Sequence, residues 1–321
     1  MTDHPDKDDK ELSVVAPIFN EEETVRELYD RLTKTLNAWC EKEGFQSDCY
    51  EIILVDDGSR DLSWQLIKEL HKKDPRVKGI KFSRNFGHHI AVTAGLDHSK
   101  GKAVVLMDGD LQDPPEEIPK LYEKYKSGYD LVYGIRRERQ DPFLKKVNSN
   151  LFWWVINALS GIHMPVGQTM MRIMSRRLLD AVISMREYSR FIHGMIAWTG
   201  FETTSIEVNH EARRKGESKY GIIRQLRLAA QAITSFSVKP LRLAIVLGIM
   251  VSMFSCVLGV YLIIKWMLFG YPVMGWASTI VSIFFMGGVQ LFVLGIVGEY
   301  IGRIYQEAQK RPLYILSETL L

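Results

Sequence analysis

The 321-residue sequence predicts an α/β domain built on a doubly wound, Rossmann-like sheet, followed by a C-terminal two-helix transmembrane hairpin. Three observations predict it. Short Val/Ile/Leu-rich runs alternate with amphipathic stretches through the first 133 residues, the β-α-β-α order of a parallel sheet. Polar clusters stand at or just past the ends of these runs, where open α/β sheets collect their ligands. Near the C-terminus two long stretches carry no charge, each long enough to cross a bilayer as a helix, which takes about 20 residues.

The elements follow in order. Residues 1–11 are polar and charged, without an apolar leader, and are expected to be disordered. A strand over 12–17 leads into Asn20-Glu21 and a helical pattern over 21–39. A second strand, 50–55, ends in Asp56-Asp57-Gly58-Ser59 before a helix over 62–72. A third strand, 77–82, runs into Ser83-Arg84-Asn85-Phe86-Gly87 and a helix over 88–97. The fourth, 103–107, ends in Asp108-Gly109-Asp110-Leu111-Gln112, and a helix over 116–126 precedes a strand at 130–133. No G-x-G-x-x-G follows the first strand, which removes the main support for dinucleotide binding. Two carboxylates closing a buried strand suit a hard divalent cation. Taken singly, these clusters could equally be turns or helix caps: Asp56, Asp57 or Asp113 would each serve.

Within the domain-sized region 12–220 and just past it, amphipathic stretches at 147–159 and 222–236 mix aromatics or arginines with apolar residues. Both fit interfacial helices, and the first fits an ordinary packed helix nearly as well. Residues 221–240 then read as a juxtamembrane helix, 241–302 as the hairpin with spans near 243–264 and 276–298, and 303–321 as a tail. Arg224, Arg227, Lys239 and Arg242 precede the spans, Arg303, Lys310 and Arg311 follow them, and only Lys265 lies between. The positive-inside bias places the large domain and both termini in the cytoplasm of a cell with this multi-pass protein in its inner membrane. Cys40, Cys49 and Cys256 are too few and scattered for a disulfide framework or a zinc site, in keeping with a reducing compartment. A net charge of +3 gives no reason to invoke nucleic acid. His88-His89 reads as polarity at a helix start rather than ligation, and His163 and His193 are isolated. Gly287-Gly288 fits close helix packing, and Glu299 falls near the membrane interface.

Residues 14–22, 55–59, 83–87 and 108–116, together with the closing Gly298-Glu299-Tyr300-Ile301-Gly302-Arg303, resemble the polyprenyl-phosphate glycosyltransferases. These include dolichol-phosphate mannose synthases and bacterial undecaprenyl-phosphate glucosyl- and aminoarabinosyltransferases. The resemblance implies a GT-A fold that moves a monosaccharide, with inversion, from a nucleotide-diphosphate sugar to a polyprenyl phosphate on the cytosolic leaflet; the two-span architecture favours a UDP-sugar such as UDP-glucose. It implies that Pro17, Phe19 and Glu21 contact the nucleotide, that Val55 and Asp57, with Asp56 adjacent, lie at the nucleobase, and that Asp108, Gly109 and Asp110 bind the donor. Mg²⁺ or Mn²⁺ would be held by Asp110 and Gln112 with Asp108. Arg136 matches an arginine after a strand. Arg213 and Lys219, in Arg213-Arg214-Lys215-Gly216-Glu217-Ser218-Lys219, match a segment that serves the donor diphosphate or the acceptor phosphate. Asp110, Arg172, Arg213 and Lys219 are the implied catalytic set, and a homo-oligomer, compatible with a tetramer, is the implied assembly.

One position departs from the pattern. Many relatives carry an Asp two residues before the arginine matched by Arg172, proposed as a general base; here Met170 stands there. A sugar hydroxyl would need that base. A phosphate monoester, with a second pKa of about 6, is already ionised near neutrality and does not. A processive polysaccharide synthase is disfavoured by the two spans and the lack of Q-x-x-R-W. A nucleotide-sugar-binding scaffold without activity is the remaining alternative.

Overall fold

The computed structural model describes residues 10–136, 161, 167–209, 211, 234–235, 237–269 and 275–321. Strands β1 (Leu12–Ile18), β2 (Tyr50–Asp56), β3 (Val77–Phe82) and β4 (Ala103–Leu106) are nearly continuous apolar runs, and they pair in parallel in the order β4-β1-β2-β3. The register sets Leu12 beside Tyr50 and Ala103, and Ile18 beside Asp56, so the polar ends of β1 and β2 finish level. Strands of this composition need cover on both faces. Helices α1 (Val25–Glu43), α2 (Ser63–Lys73) and α4 (Ile118–Tyr125) supply one face. On α1, Leu28, Leu32 and Leu36 recur at the i, i+4 spacing of a buried stripe, extended by Trp39 against Tyr122 at 4.8 Å. Helix α3 (His88–Asp97) covers the other. Its Gly95 lies so close to β1 that a Cβ there would sit 2.2 Å from Val15 Cγ1.

The sheet is mixed rather than wholly parallel. Strand β6 (Gln168–Ser175) is inserted antiparallel between β4 and β5 (Leu131–Arg136), β7 (Thr203–Val208) extends β5 in parallel, and β8 (Leu316–Leu320) runs antiparallel along β3, giving the order β7-β5-β6-β4-β1-β2-β3-β8. Two short helices, α5 (Arg176–Ser184) and α6 (Ile192–Trp198), follow β6; Ser175 Oγ caps α5 by accepting from Leu178 N at 3.2 Å.

Two expectations are corrected. Cys40 and Cys49 form a disulfide, because the left-handed Gly44 ending α1 turns the chain back and brings the start of β2 against the last turn of the helix. Residues 303–321 are not simply a tail: up to Ala308 they continue a helix, and β8 belongs to the sheet. Glu318 receives Trp64 Nε1 at 2.9 Å and pairs with Lys68 at 2.7 Å, while Tyr314 stacks on Phe82 with centroids 5.2 Å apart and donates to Asp97 at 2.8 Å.

The chain falls into two compact units, one containing the sheet with Arg311–Leu321, the other containing Ile222–Lys310. In the second, α7 (Lys239–Phe269, 31 residues) and α8 (Trp276–Ala308, 33 residues) are long and apolar enough to cross a membrane. Ile245, Phe254, Val257, Leu268, Phe284 and Leu291 stand exposed on them, as helices apolar all round require of a lipid surrounding. The hairpin is tied at its open end: Tyr300 Oη donates to Ser237 O at 2.6 Å and Arg303 Nη1 to Ser235 Oγ at 2.9 Å. Glu299 pairs with Arg303 one turn on, at 3.2 Å. The segment 147–159, nearly all of 222–236, Arg213 and Lys219 lie outside the described residues.

Candidate active site

The loops leaving β1, β2, β3 and β4 come together at one end of the sheet, and each is fixed by the next. After β1, Asn20 takes a left-handed φ of 55° that lets its N–H donate to Ser59 Oγ and its Oδ1 accept from Arg60 N, both at 2.9 Å. Glu21 N donates to Ser63 Oγ at 2.9 Å, and the Glu21 carboxylate accepts from Thr24. Phe19 is left 46% exposed beside this lacing, an apolar plate at the mouth.

Asp57 organises the loop after β3. Its carboxylate accepts from Phe86 N at 2.7 Å, from Gly87 N at 3.0 and 3.2 Å, and from Asn85 Nδ2 at 2.9 Å. Burial raises its pKa, with these amides opposing. Asp57 therefore fixes the backbone of Phe86-Gly87 and the Asn85 side chain at the end of β2. Gly58 makes this approach possible: with φ at 71°, a Cβ there would lie 2.5 Å from the Arg84 carbonyl carbon. Asp56 is buried; Oδ1 accepts from Ser59 N at 3.1 Å, and Oδ2 has no partner among the described residues, so burial raises this carboxyl too. Val55 is wholly buried in β2 beneath Gly95 and is a core side chain.

The turn after β4 carries the acids. Gly109 is required because a Cβ there would meet Ile18 Cδ1 at 2.6 Å and Pro17 O at 2.9 Å, which seats the turn directly on the end of β1. Leu111, buried, holds a φ of 60°, a strained conformation for a bulky residue. Asp110 Oδ1 accepts from Gln112 N at 3.1 Å, and Gln112 O accepts from Glu211 N at 2.9 Å. Asp113 is buried and accepts from Met171 N at 3.3 Å, which ties the turn to β6 rather than capping a helix. Asp108, partly exposed, has its carboxyl raised to about 7 by burial first and then by Asp110 and Asp113, against Arg172 and Arg136.

Arg172 lies in β6 in register with Leu106 and Tyr133, directly beside the acidic turn. It is 1% exposed, so its guanidinium has no face left for a substrate phosphate; it is a buried counter-charge to the acids. Burial lowers it to about 10, which leaves it cationic at neutral pH. Its Nε donates to Met170 O at 3.1 Å, and its Nη2 to Thr169 O at 2.9 Å and to His193 Nδ1 at 2.8 Å. Arg136 is exposed at the end of β5. Two histidines that look incidental in the sequence belong here. His88 Nε2 approaches Asp108 Oδ1 to 3.6 Å, and His193 Nε2 contacts Met170 Sδ at 3.0 Å. Only the position of His88 directly after Asn85-Phe86-Gly87 could have signalled this; nothing in the local sequence marks His193.

Two carboxylates and a carboxamide fit a hard cation as an open set, with phosphate and water oxygens completing its shell. Among the described residues no cluster of three or more acidic, His or Cys side chains forms a closed cage. The neighbouring acids add to burial in raising Asp108, and their share is what a cation would relieve.

Residues 13–184 match glycosyl transferase family 2, and residues 239–304 match the GtrB C-terminal hairpin. The chain is 40% identical over 311 residues to an uncharacterized glycosyltransferase, YkcC, of Bacillus subtilis, covering 96% of this chain and 94% of that one. It is 39% identical over 309 residues to the bactoprenol glucosyl transferase of Shigella phage SfII, covering 96% and 98%. With the strained acidic turn seated on a GT-A-like mixed sheet and two bilayer-length helices later in the sequence, the chain belongs to glycosyl transferase family 2 and is a glycosyltransferase.

Proposed function

We propose that this chain transfers one glucose from UDP-glucose to a polyprenyl phosphate, undecaprenyl phosphate in bacteria, with inversion, at the cytosolic face of the inner membrane. The observation that carries this reading is the acidic turn at Asp108–Asp110, backed by a buried arginine, in a chain whose two long apolar helices suit a lipid acceptor. The similarity to bactoprenol glucosyl transferases over nearly the whole chain supports the sugar and the lipid.

In the step, a phosphate oxygen of the lipid attacks the anomeric carbon while the bond from that carbon to the nucleotide diphosphate breaks. No proton has to move, because the attacking monoester is already ionised. Met170 in place of a carboxylate is consistent with this chemistry. Phe19 and the loop organised by Asp57 form the walls for the nucleotide, while Asp56, fully buried, holds the adjoining turn through Ser59 N. Asp110, Gln112 and Asp108 would hold Mg²⁺ or Mn²⁺, which supplies charge neutralisation at the departing diphosphate. Arg213, Lys219 and Arg136 would screen the repulsion between donor and acceptor phosphates. Both ends of the hairpin lie on the cytosolic side, and the chains assemble as homo-oligomers.

Purified protein, UDP-glucose and undecaprenyl phosphate should yield a lipid-linked monosaccharide and UDP. Asp110→Ala should lower the rate by about 10²–10³-fold while leaving the thermal unfolding temperature in place. Transfer at the native rate by Asp110→Ala would sink the assignment of the turn, and a polymeric product would sink the single-transfer reading.

A further inference from the structure

Arg172 is held by three acceptors, two of them backbone carbonyls of its own strand and the third a side chain from another element, His193 of α6. The carbonyls travel with β6 whatever α6 does; among the described residues, His193 is the partner that ties the guanidinium across the fold. Because arginine can only donate, His193 Nδ1 must be bare, and the ring's single proton must sit on Nε2, directed at the Met170 sulfur. A thioether is a weak acceptor that carries no charge, so nothing at this position favours the imidazolium. The groups facing the ring from other elements agree: Arg172 on β6 and His88 and His89 on α3 all oppose a positive charge, and burial, the largest influence, holds its pKa well below 6.5.

We propose that His193 is the positioning residue of the acidic turn, acting through Arg172: as an acceptor from another element it fixes the buried guanidinium on β6 where Arg172 pairs with Leu106 at the foot of the turn and the neighbouring Met171 amide holds Asp113, so that the turn is preorganised for the diphosphate and its cation. This rests on the reading of that turn as the donor site. Met170 belongs to the device as the uncharged neighbour of His193 Nε2. A carboxylate there would accept from Nε2–H, draw a second proton onto Nδ1 as the pH falls, and evict Arg172 from its acceptor.

The test is the affinity of full-length protein in detergent for UDP with Mn²⁺, measured by titration calorimetry, with thermal unfolding recorded for each variant. His193→Leu, similar in size but without an acceptor, should weaken binding about tenfold, the scale of one hydrogen bond to a charged group. His193→Asn, which returns an acceptor near the place of Nδ1, should recover most of it. Met170→Asp should bind with a ratio to the native chain that falls as pH is lowered from 8 to 6, whereas His193→Asn should show a constant ratio. Native affinity in His193→Leu, equal losses in the Leu and Asn variants with unfolding unchanged, or a pH-independent ratio for Met170→Asp would each overturn the proposal. A native chain that binds UDP and Mn²⁺ but transfers no glucose would instead overturn the proposed reaction and leave the role of His193 standing.

Discussion

Gly58 shows how little room the site leaves at the scale of single residues. Its Cβ position is 2.5 Å from the backbone of Arg84, and its φ is in the left-handed region, so Gly58→Ala combines strain with a clash against main chain. We expect a loss of about 2–4 kcal/mol of stability, visible as a lowered melting temperature. Asp74 offers a test by pH. Burial pushes its pKa up, but Arg76, bonded through its backbone and side chain at 2.8–3.0 Å, outweighs this and holds it below its ordinary value. A depressed carboxyl stabilises the fold above its unfolded pKa of about 4 and loses that contribution as pH falls through the folded value. Asp74→Asn should therefore be less stable than the native chain at pH 7 and approach it in acid, by circular dichroism. That Asp108, Gly109 and Asp110 form a turn closing a buried strand was legible in the sequence, because an apolar run ending in Asp-Gly-Asp is a local signal. The burial of Arg172 was not, since it depends on β6 lying between β4 and β5. His193 was not legible at all, because its partner is 21 residues away on another element.

Among the elements, the four parallel strands and α1 to α4 could be read directly, since apolar runs bounded by turns and i, i+4 stripes are local signals. Strands β6 and β8 could not. Gln168–Ser175 carries a buried arginine and Met where a strand pattern would show Val and Ile, and Leu316–Leu320 is only five residues with three polar side chains. Both are strands because of what they pair with. Strand β8 also reaches the site: Tyr314 stacks on Phe82, and Phe82 meets Phe86 edge-on at 5.5 Å, next to the backbone that Asp57 holds. Removing residues 313–321 should lower the melting temperature, weaken UDP binding and, by baring the edge of β3, promote association detectable by light scattering. Unchanged binding in the truncated protein would separate β8 from the donor loop.

Taken as a whole, the molecule enters its hairpin from the sheet-bearing unit and returns to the same sheet. The charge bias predicts that both ends of the hairpin share one side of the membrane, and a β8 that pairs with β3 is compatible with that expectation. In intact cells, a cysteine placed at Tyr271 between the helices should react with an impermeant maleimide, and one placed at Thr319 should not. The reverse pattern would overturn the topology.

The order of synthesis gives β8 a further consequence. Strand β3 is made early, and its partner β8 only after both apolar helices. At 5–20 residues per second, the edge of β3 waits roughly 10–50 s, an interval in which both apolar helices must also be delivered to the membrane. Covering this edge is thus a step that only a chain with its hairpin already synthesised can take, and a nascent chain stalled before Leu316 is left with an open, aggregation-prone edge.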